Sequence, residues 1–262
     1  MSATTTTFPA PRIAPNLSHA FGGVWRLTFR RFLLPGHWLT VAIGLAVLAL
    51  LFFGGPRRGN PDEFVGWAIS FYVSLVVPAL AFMAGADAIR EEMKSSSVDY
   101  VLTRPVPRPA FVAFKYVAHT VCTQLDLLLA FGVVVGFAAA HHVPDLATVT
   151  FKLLLGQVLL VTAFSAFGFL CGVISSRYVV IGLAYAGIIE AGVGQIPTQL
   201  SRLSMTHQVR DLLASLLGRT ETLTSAPSLF GTSGMVALFC VLTLGAAVAL
   251  FTFREFTGAG ET

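Results

Sequence analysis

Charge is the first thing this sequence has little of. Asp, Glu, Lys and Arg make up 11% of its 262 residues, where a soluble domain carries about a quarter. With 55% hydrophobic residues and a mean hydropathy of +0.77, a water-soluble globule is excluded and an all-α integral membrane protein is expected. Cysteine is nearly missing. Cys122, Cys171 and Cys240 each lie in an apolar run with no ligand spacing, so no disulfide framework is expected and they read as small packing residues. Chemical signatures are absent too. There is no G-x-x-x-x-G-K-[ST] phosphate loop, no H-E-x-x-H and no G-x-S-x-G, and no cysteine–histidine cluster with zinc spacing. The chain has no evident hydrolytic machinery, and neither a metal nor a cofactor of its own is expected. The opening residues MSATTTTFPAPRIAPN lack the basic-then-apolar order of a signal peptide and read as a loose tail over 1–16.

What the sequence does have is long apolar runs. Crossing the hydrocarbon core takes about 20 apolar residues in a helix. Six runs qualify as candidates: Trp38 to Gly54, Phe64 to Ala86, Ala110 to Ala140, Leu153 to Ile174, Val179 to Gly194 and Gly231 to Phe253. The third is long enough to tilt or protrude. The fifth is short and ends before Pro197. A net charge of +4 points to acidic lipid headgroups rather than nucleic acid. With the N-terminus inside, eleven Lys and Arg fall on the cytoplasmic side and six outside. Both termini are therefore expected in the cytoplasm of a multi-pass inner-membrane protein.

Two amphipathic pieces lie outside these runs. In Leu17 to Leu34, Phe21, Val24, Trp25, Phe29 and Phe32 share one helical face, with Arg26 and Arg30 opposite. Such a helix lies in the membrane interface, either as a simple anchor or as a coupling element. Between runs five and six, roughly Leu200 to Phe230, Val209, Leu212, Leu213, Leu216 and Leu217 follow helical spacing. A helix on the outer leaflet is expected there, or an ordinary loop helix packed on the bundle.

Polar residues inside the spans are few. Asp126 stands near the middle of run three, and Glu190 about 17 Å into run five at 1.5 Å per residue. An ionisable group at bilayer depth must face protein or water, or be paired. Each is a candidate for a transport path or gate, and each could equally be an interhelical hydrogen bond. His141, His142 and Asp145 in the loop after run three are too few for a metal site and read as exposed loop. The small-residue pairs Gly132/Gly136 and Gly168/Gly172 would permit close helix contact.

The exception to the scarcity of charge is AIREEMKSSSVDYVLTRPVPRP, Ala88 to Pro109, which holds seven of the thirty charged residues. Ile89, Met93, Ser96 and Tyr100 fall on one helical face, and prolines then stop the helix. A short cytoplasmic helix with a stiff proline turn, joining runs two and three, suits docking to a soluble partner. It would also suit a solvated loop that only sets topology.

These residues carry a resemblance. The stretch from Ala88 to Lys115 is similar to the signature of type-2 ABC export permeases. There Glu92, Ser97, Val98, Tyr100, Leu102, Arg104, Pro105, Arg108 and Lys115 match in order. YAGIIEAGVGQIPTQLSRLSMTHQVRDL resembles that family's span-five end, with Glu190, Pro197 and Leu203 to His207 matching. The six-span plan agrees, over one permease domain from residue 17 to 262, and the branch named for multicopper-enzyme maturation is nearest. The usual Gly-Thr before the hydrophobic pair reads Ser96-Ser97 here.

The resemblance implies an exporter subunit that pairs with a second permease chain, as homo- or heterodimer. It also implies a separate cytoplasmic ATPase that holds the ATP and magnesium. That ATPase would dock on the hairpin through Arg90, Glu91, Glu92, Ser97, Asp99, Tyr100, Arg104 and Arg108. Two other classes stay open: a membrane scaffold recruiting soluble proteins through the hairpin, and an intramembrane lipid-modifying enzyme using Asp126, Glu190 or the His141/His142 pair.

Overall fold

The computed structural model describes residues 17–54, 60–93, 107–190, 192, 204–218 and 228–253. Every regular element among them is helical. In chain order they are α1 (Leu17–Phe32), α2 (Pro35–Gly54), α3 (Pro61–Glu92), α4 (Arg108–Ala140), α5 (Leu146–Ile174), α6 (Tyr178–Glu190), α7 (Met205–Leu216) and α8 (Leu229–Phe253). Five of these, α2, α3, α4, α5 and α8, are long and apolar enough to cross a membrane. The expected fifth crossing is α6. It has 13 described residues, about 20 Å of helix, short of a hydrocarbon core about 30 Å thick.

Local chemistry sets several boundaries. Proline stands at the first position of α3, where its missing N–H costs nothing, and the Asn60 side chain accepts the Glu63 N–H at 3.2 Å. Ser204 caps α7 in the same way, accepting from His207 N–H at 3.0 Å. Within α3 the residues Ala68–Val76 form a π-helical stretch. It aims Tyr72 inward, where the hydroxyl is shared between Gln157 Oε1 at 2.8 Å and the Leu127 carbonyl at 3.1 Å. Such π turns concentrate where a side chain must be re-aimed.

The long helices alternate in direction between two ends of the bundle. One end holds α1, the last turn of α3, the first turn of α4 and the last turn of α8. The other holds α7, which lies on the first turns of α5: Lys152 Nζ donates to the Leu216 carbonyl at 2.6 Å. The central seam is α3 against α5. These two run parallel, because Gly85 faces Ser165, Gly168 faces Phe82 and Ala86, and Gly172 faces Ala86 and Ile89. A Cβ at Gly168 would overlap the Phe82 carbonyl oxygen, so only glycine lets the two backbones meet there. By contrast Gly132 and Gly136 face open space. Of the two small-residue pairs, one makes the close contact within this chain.

α2 stays at the periphery. Its main neighbour is α4, and Leu39, Ile43, Val47, Leu50 and Phe53 remain exposed. A tight aromatic contact holds its far end, with Phe52 edge-on to Trp67 at 4.4 Å.

Candidate functional site

The last turn of α3 enters the charged hairpin as a continuation of the same helix. Arg90, Glu91 and Glu92 therefore ride on the end of a 32-residue helix, and no break precedes them. The α-helical ladder persists to Glu92 because nothing in ADAIREE interrupts it, and the rest of the expected cytoplasmic helix lies outside the described residues. Ser97, Asp99, Tyr100 and Arg104, together with the rest of 94–106, lie outside the described residues.

Glu91 and Glu92 differ sharply in setting. Glu92 is 5% exposed and accepts from Lys115 Nζ at 2.8 Å; Lys115 is itself 2% exposed. Arg31, on the last turn of α1, reaches Glu92 at 3.4 Å and Glu91 at 2.6 Å. Three helices, α1, α3 and α4, are thus tied by one knot of four charges. A buried carboxylate requires such partners, because an unpaired charge away from water is prohibitively costly. Glu91 sits at the solvent edge of the knot, and its pair with Arg31 contributes at most about 1 kcal/mol. Arg108 turns away from the knot and donates to the Thr252 carbonyl at 3.1 Å, satisfying a free carbonyl at the end of α8. Arg90 is half-buried on the last turn of α3.

Above the knot, α1, the start of α2, α3 and α4 enclose a cavity of about 610 Å³. Asp126 lines it and meets His37 Nε2 at 3.1 Å. His37 is the third residue of α2, so Asp126 sits level with the start of that helix. The reason is the length of α4, about 50 Å for 33 residues, which carries several turns past α2 on the α1 side. His119 and Cys122 line the same cavity. With Asp126 they fall on one face of α4 at spacings of three and four, a polar stripe in an apolar helix. That stripe was the available signal for His119. His37 and Arg31 had no signal of their own, because their partners lie 60 or more residues away in sequence.

Glu190 lies near the opposite end. It ends α6 in a π-helical turn, Ala186–Glu190. Tyr185 OH donates to one carboxylate oxygen at 3.1 Å and Ser204 Oγ to the other at 2.5 Å. Ser204 is fully buried and caps α7. Glu190 thus joins the end of α6 to the start of α7 across the segment between them. Ser204→Ala removes both the cap and the Glu190 bond, and a loss of about 1–2 kcal/mol is expected. Thermal unfolding of the detergent-solubilised chain checks it, and an unchanged midpoint would contradict the bridge.

The loop after α4 is a tight turn. His141 is buried and stacks on Phe64 at 5.0 Å, while His142 and Asp145 adopt left-handed backbone angles in a tight turn. Among the described residues no group of three or more metal-ligating side chains converges. The reading of His141 as an exposed loop residue is corrected: Phe64, at the start of α3, covers it.

Comparison with known families bears on this arrangement directly. A model of the ABC-2 family transporter proteins matches residues 34–189. That range runs from the start of α2 to the end of α6 and includes the α3–α5 seam, Glu92, Lys115, His37 and Asp126. No curated protein matches the chain. Five helices long enough to cross a membrane, and a family match over more than half its length, make the chain a multi-pass membrane permease of the ABC-2 transporter family.

Proposed function

We propose that the chain is the membrane-spanning subunit of an ATP-driven exporter, powered by a separate cytoplasmic ATPase docked on the hairpin at 88–109. The family generally works as dimers with a cytoplasmic ATPase. In this reading α1, the charge knot and both termini face the cytoplasm, α7 faces outward, and α6 belongs to a sixth crossing of the inner membrane. On the resemblance of Ala88 to Lys115 we place the chain in the maturation-type branch. A second permease chain, identical or not, would cover the apolar residues left exposed on α6, such as Val180, Leu183 and Ile188.

One observation carries the proposal. The last turn of α3 is fastened to α4 by the buried Glu92–Lys115 pair and to α1 by Arg31. A push on the hairpin by a closing ATPase therefore moves three helices as a unit, which is what coupling requires. Asp126 and Glu190 would then lie along the path or gate, near opposite ends of the bundle. Their separation disfavours an intramembrane enzyme that would need both at one reacting atom. A scaffold needs no buried knot behind its docking loop.

Purification of the tagged chain from native membranes in mild detergent tests the reading. An ATPase carrying a phosphate loop is expected to co-purify, and Glu91→Lys combined with Arg104→Glu is expected to reduce its recovery at least about tenfold. Recovery of no ATPase, with nucleotide and crosslinker present, would overturn the docking role. Inside-out vesicles decide direction: ATP-dependent uptake supports export, and ATP-dependent release refutes it.

A further inference from the structure

The cavity between α1, α2, α3 and α4 has features that the coupling role leaves unused. Its walls carry both signs of charge. Arg31, Lys115 and His37 supply donors, while Asp87, Glu91 and Asp126 supply carboxylates. An anion alone would meet three carboxylates. A cation alone would meet Arg31 and Lys115. A ligand bearing both charges a short distance apart satisfies both sets.

His119 adds a second, independent observation. His119 lines the same cavity, and its Nε2 is buried without a partner. A buried ring nitrogen left unpaired costs free energy unless a ligand or water meets it. A ring nitrogen in that position has one hydrogen bond left to make.

The position of the cavity narrows the class further. α1, an amphipathic helix with Phe32 buried and Arg31 half-exposed at its end, forms one wall. Leu34 also lines the cavity, and beyond it Leu39 and Ile43 expose an apolar track along α2. A polar chamber walled by an amphipathic helix and opening onto an apolar track fits an amphiphile better than a free solute.

We propose that this cavity binds the headgroup of a zwitterionic aminophospholipid, with its acyl chains lying along α2. The phosphate faces Arg31 and Lys115. The primary ammonium faces Asp87, Asp126 and His119 Nε2. A quaternary ammonium has no N–H to give these acceptors, so an ethanolamine headgroup is preferred over choline. A glycerol headgroup lacks the cation and has no ammonium N–H to give Asp87 or Asp126. The site goes beyond the transport reading, because it requires neither an ATPase nor a cargo.

Native mass spectrometry of the full chain in a neutral detergent tests this. Palmitoyl-oleoyl phosphatidylethanolamine, phosphatidylcholine and phosphatidylglycerol are added in turn at equal concentration. Ethanolamine lipid is expected to be retained about fivefold more than either of the others. Asp87→Asn with Asp126→Asn removes the partners of the ammonium and is expected to reverse the order in favour of the glycerol lipid. Ala84→Phe fills the chamber and is expected to abolish the preference. Equal retention of the three lipids by the wild-type chain overturns the proposal, as does an unchanged order in the double variant. Displacement of the lipid by soluble phosphoethanolamine at equal concentration overturns the lipid assignment in favour of a small zwitterion. Should neither variant fold, the wild-type order alone decides.

Discussion

Gly168→Ala is expected to destabilise the chain by about 3 kcal/mol or more, while Gly132→Ala stabilises it by up to about 1 kcal/mol. The two substitutions are chemically identical and both lie inside long helices. At Gly168 the added methyl meets the Phe82 carbonyl oxygen and the Ala86 backbone nitrogen. Backbone atoms of a packed helix cannot step aside as a flexible side chain can, so α3 and α5 must separate along their whole contact. That seam also holds Gly85 and Gly172, whose added methyls would strike Ser165 and Ala86. Opening it at one point therefore loosens the rest. At Gly132 nothing stands within 4 Å. There the alanine only restricts the unfolded chain and improves helix propensity. For a chain of this size a loss of 3 kcal/mol corresponds to a drop of roughly 6–12 °C in midpoint. Thermal unfolding followed by size-exclusion in detergent measures both variants. Equal shifts at the two positions would show that the seam is not where the helices meet.

The second large effect concerns the charge knot. Lys115→Met leaves Glu92 buried at 5% exposure with only Arg31 near it, at 3.4 Å. Removing one partner of a buried pair typically costs about 3–5 kcal/mol, because the other charge is left uncompensated. Glu92→Met strands Lys115 in the same way. The double change Glu92→Met with Lys115→Met removes both charges and is expected to recover most of the stability, since an apolar pair of similar volume is often neutral or better. Glu91→Lys is the control. Its pair with Arg31 is half-exposed, and a change of no more than about 1 kcal/mol is expected.

The same variants separate stability from coupling. In the proposed exporter the double methionine variant folds yet transmits poorly, because the polar link from hairpin to α4 has been replaced by contacts without direction. ATPase stimulation by the permease is expected to fall at least about tenfold in that variant while unfolding stays near wild type. Single variants as stable as wild type would show that Glu92 and Lys115 are not paired. Full stimulation in the double variant would separate the knot from coupling.

The crossings were legible in the sequence because hydropathy is a local property of the chain. Five of the six apolar runs reappear as helices long enough to cross, displaced by a few residues at their ends, where caps such as Asn60 and prolines such as Pro61 decide the boundary. The amphipathic helices were legible for a related reason. The spacing of Phe21, Trp25, Phe29 and Phe32, and of Val209, Leu212 and Leu213, fixes a face regardless of what covers it.

Other features were decided only when the helices met. Two glycine pairs look alike along the chain, and only the parallel packing of α3 and α5 makes one of them a contact. Asp126 stands near the middle of its apolar run, and only the overhang of α4 brings it level with His37. The sequence sets Glu91 and Glu92 side by side as equivalent charges, whereas the approach of α1 and α4 buries one and leaves the other at the surface. Glu190 was legible as an acid in an apolar run, while its partner Ser204 lies 14 residues on and meets it only because α7 folds back onto α6. The physical division is one of range. Transfer of a side chain out of water and the periodicity of a helix are set by near neighbours, so composition and spacing determine them. Close approach, depth and ion pairing depend on distances between segments far apart in sequence, and those distances exist only in the tertiary structure.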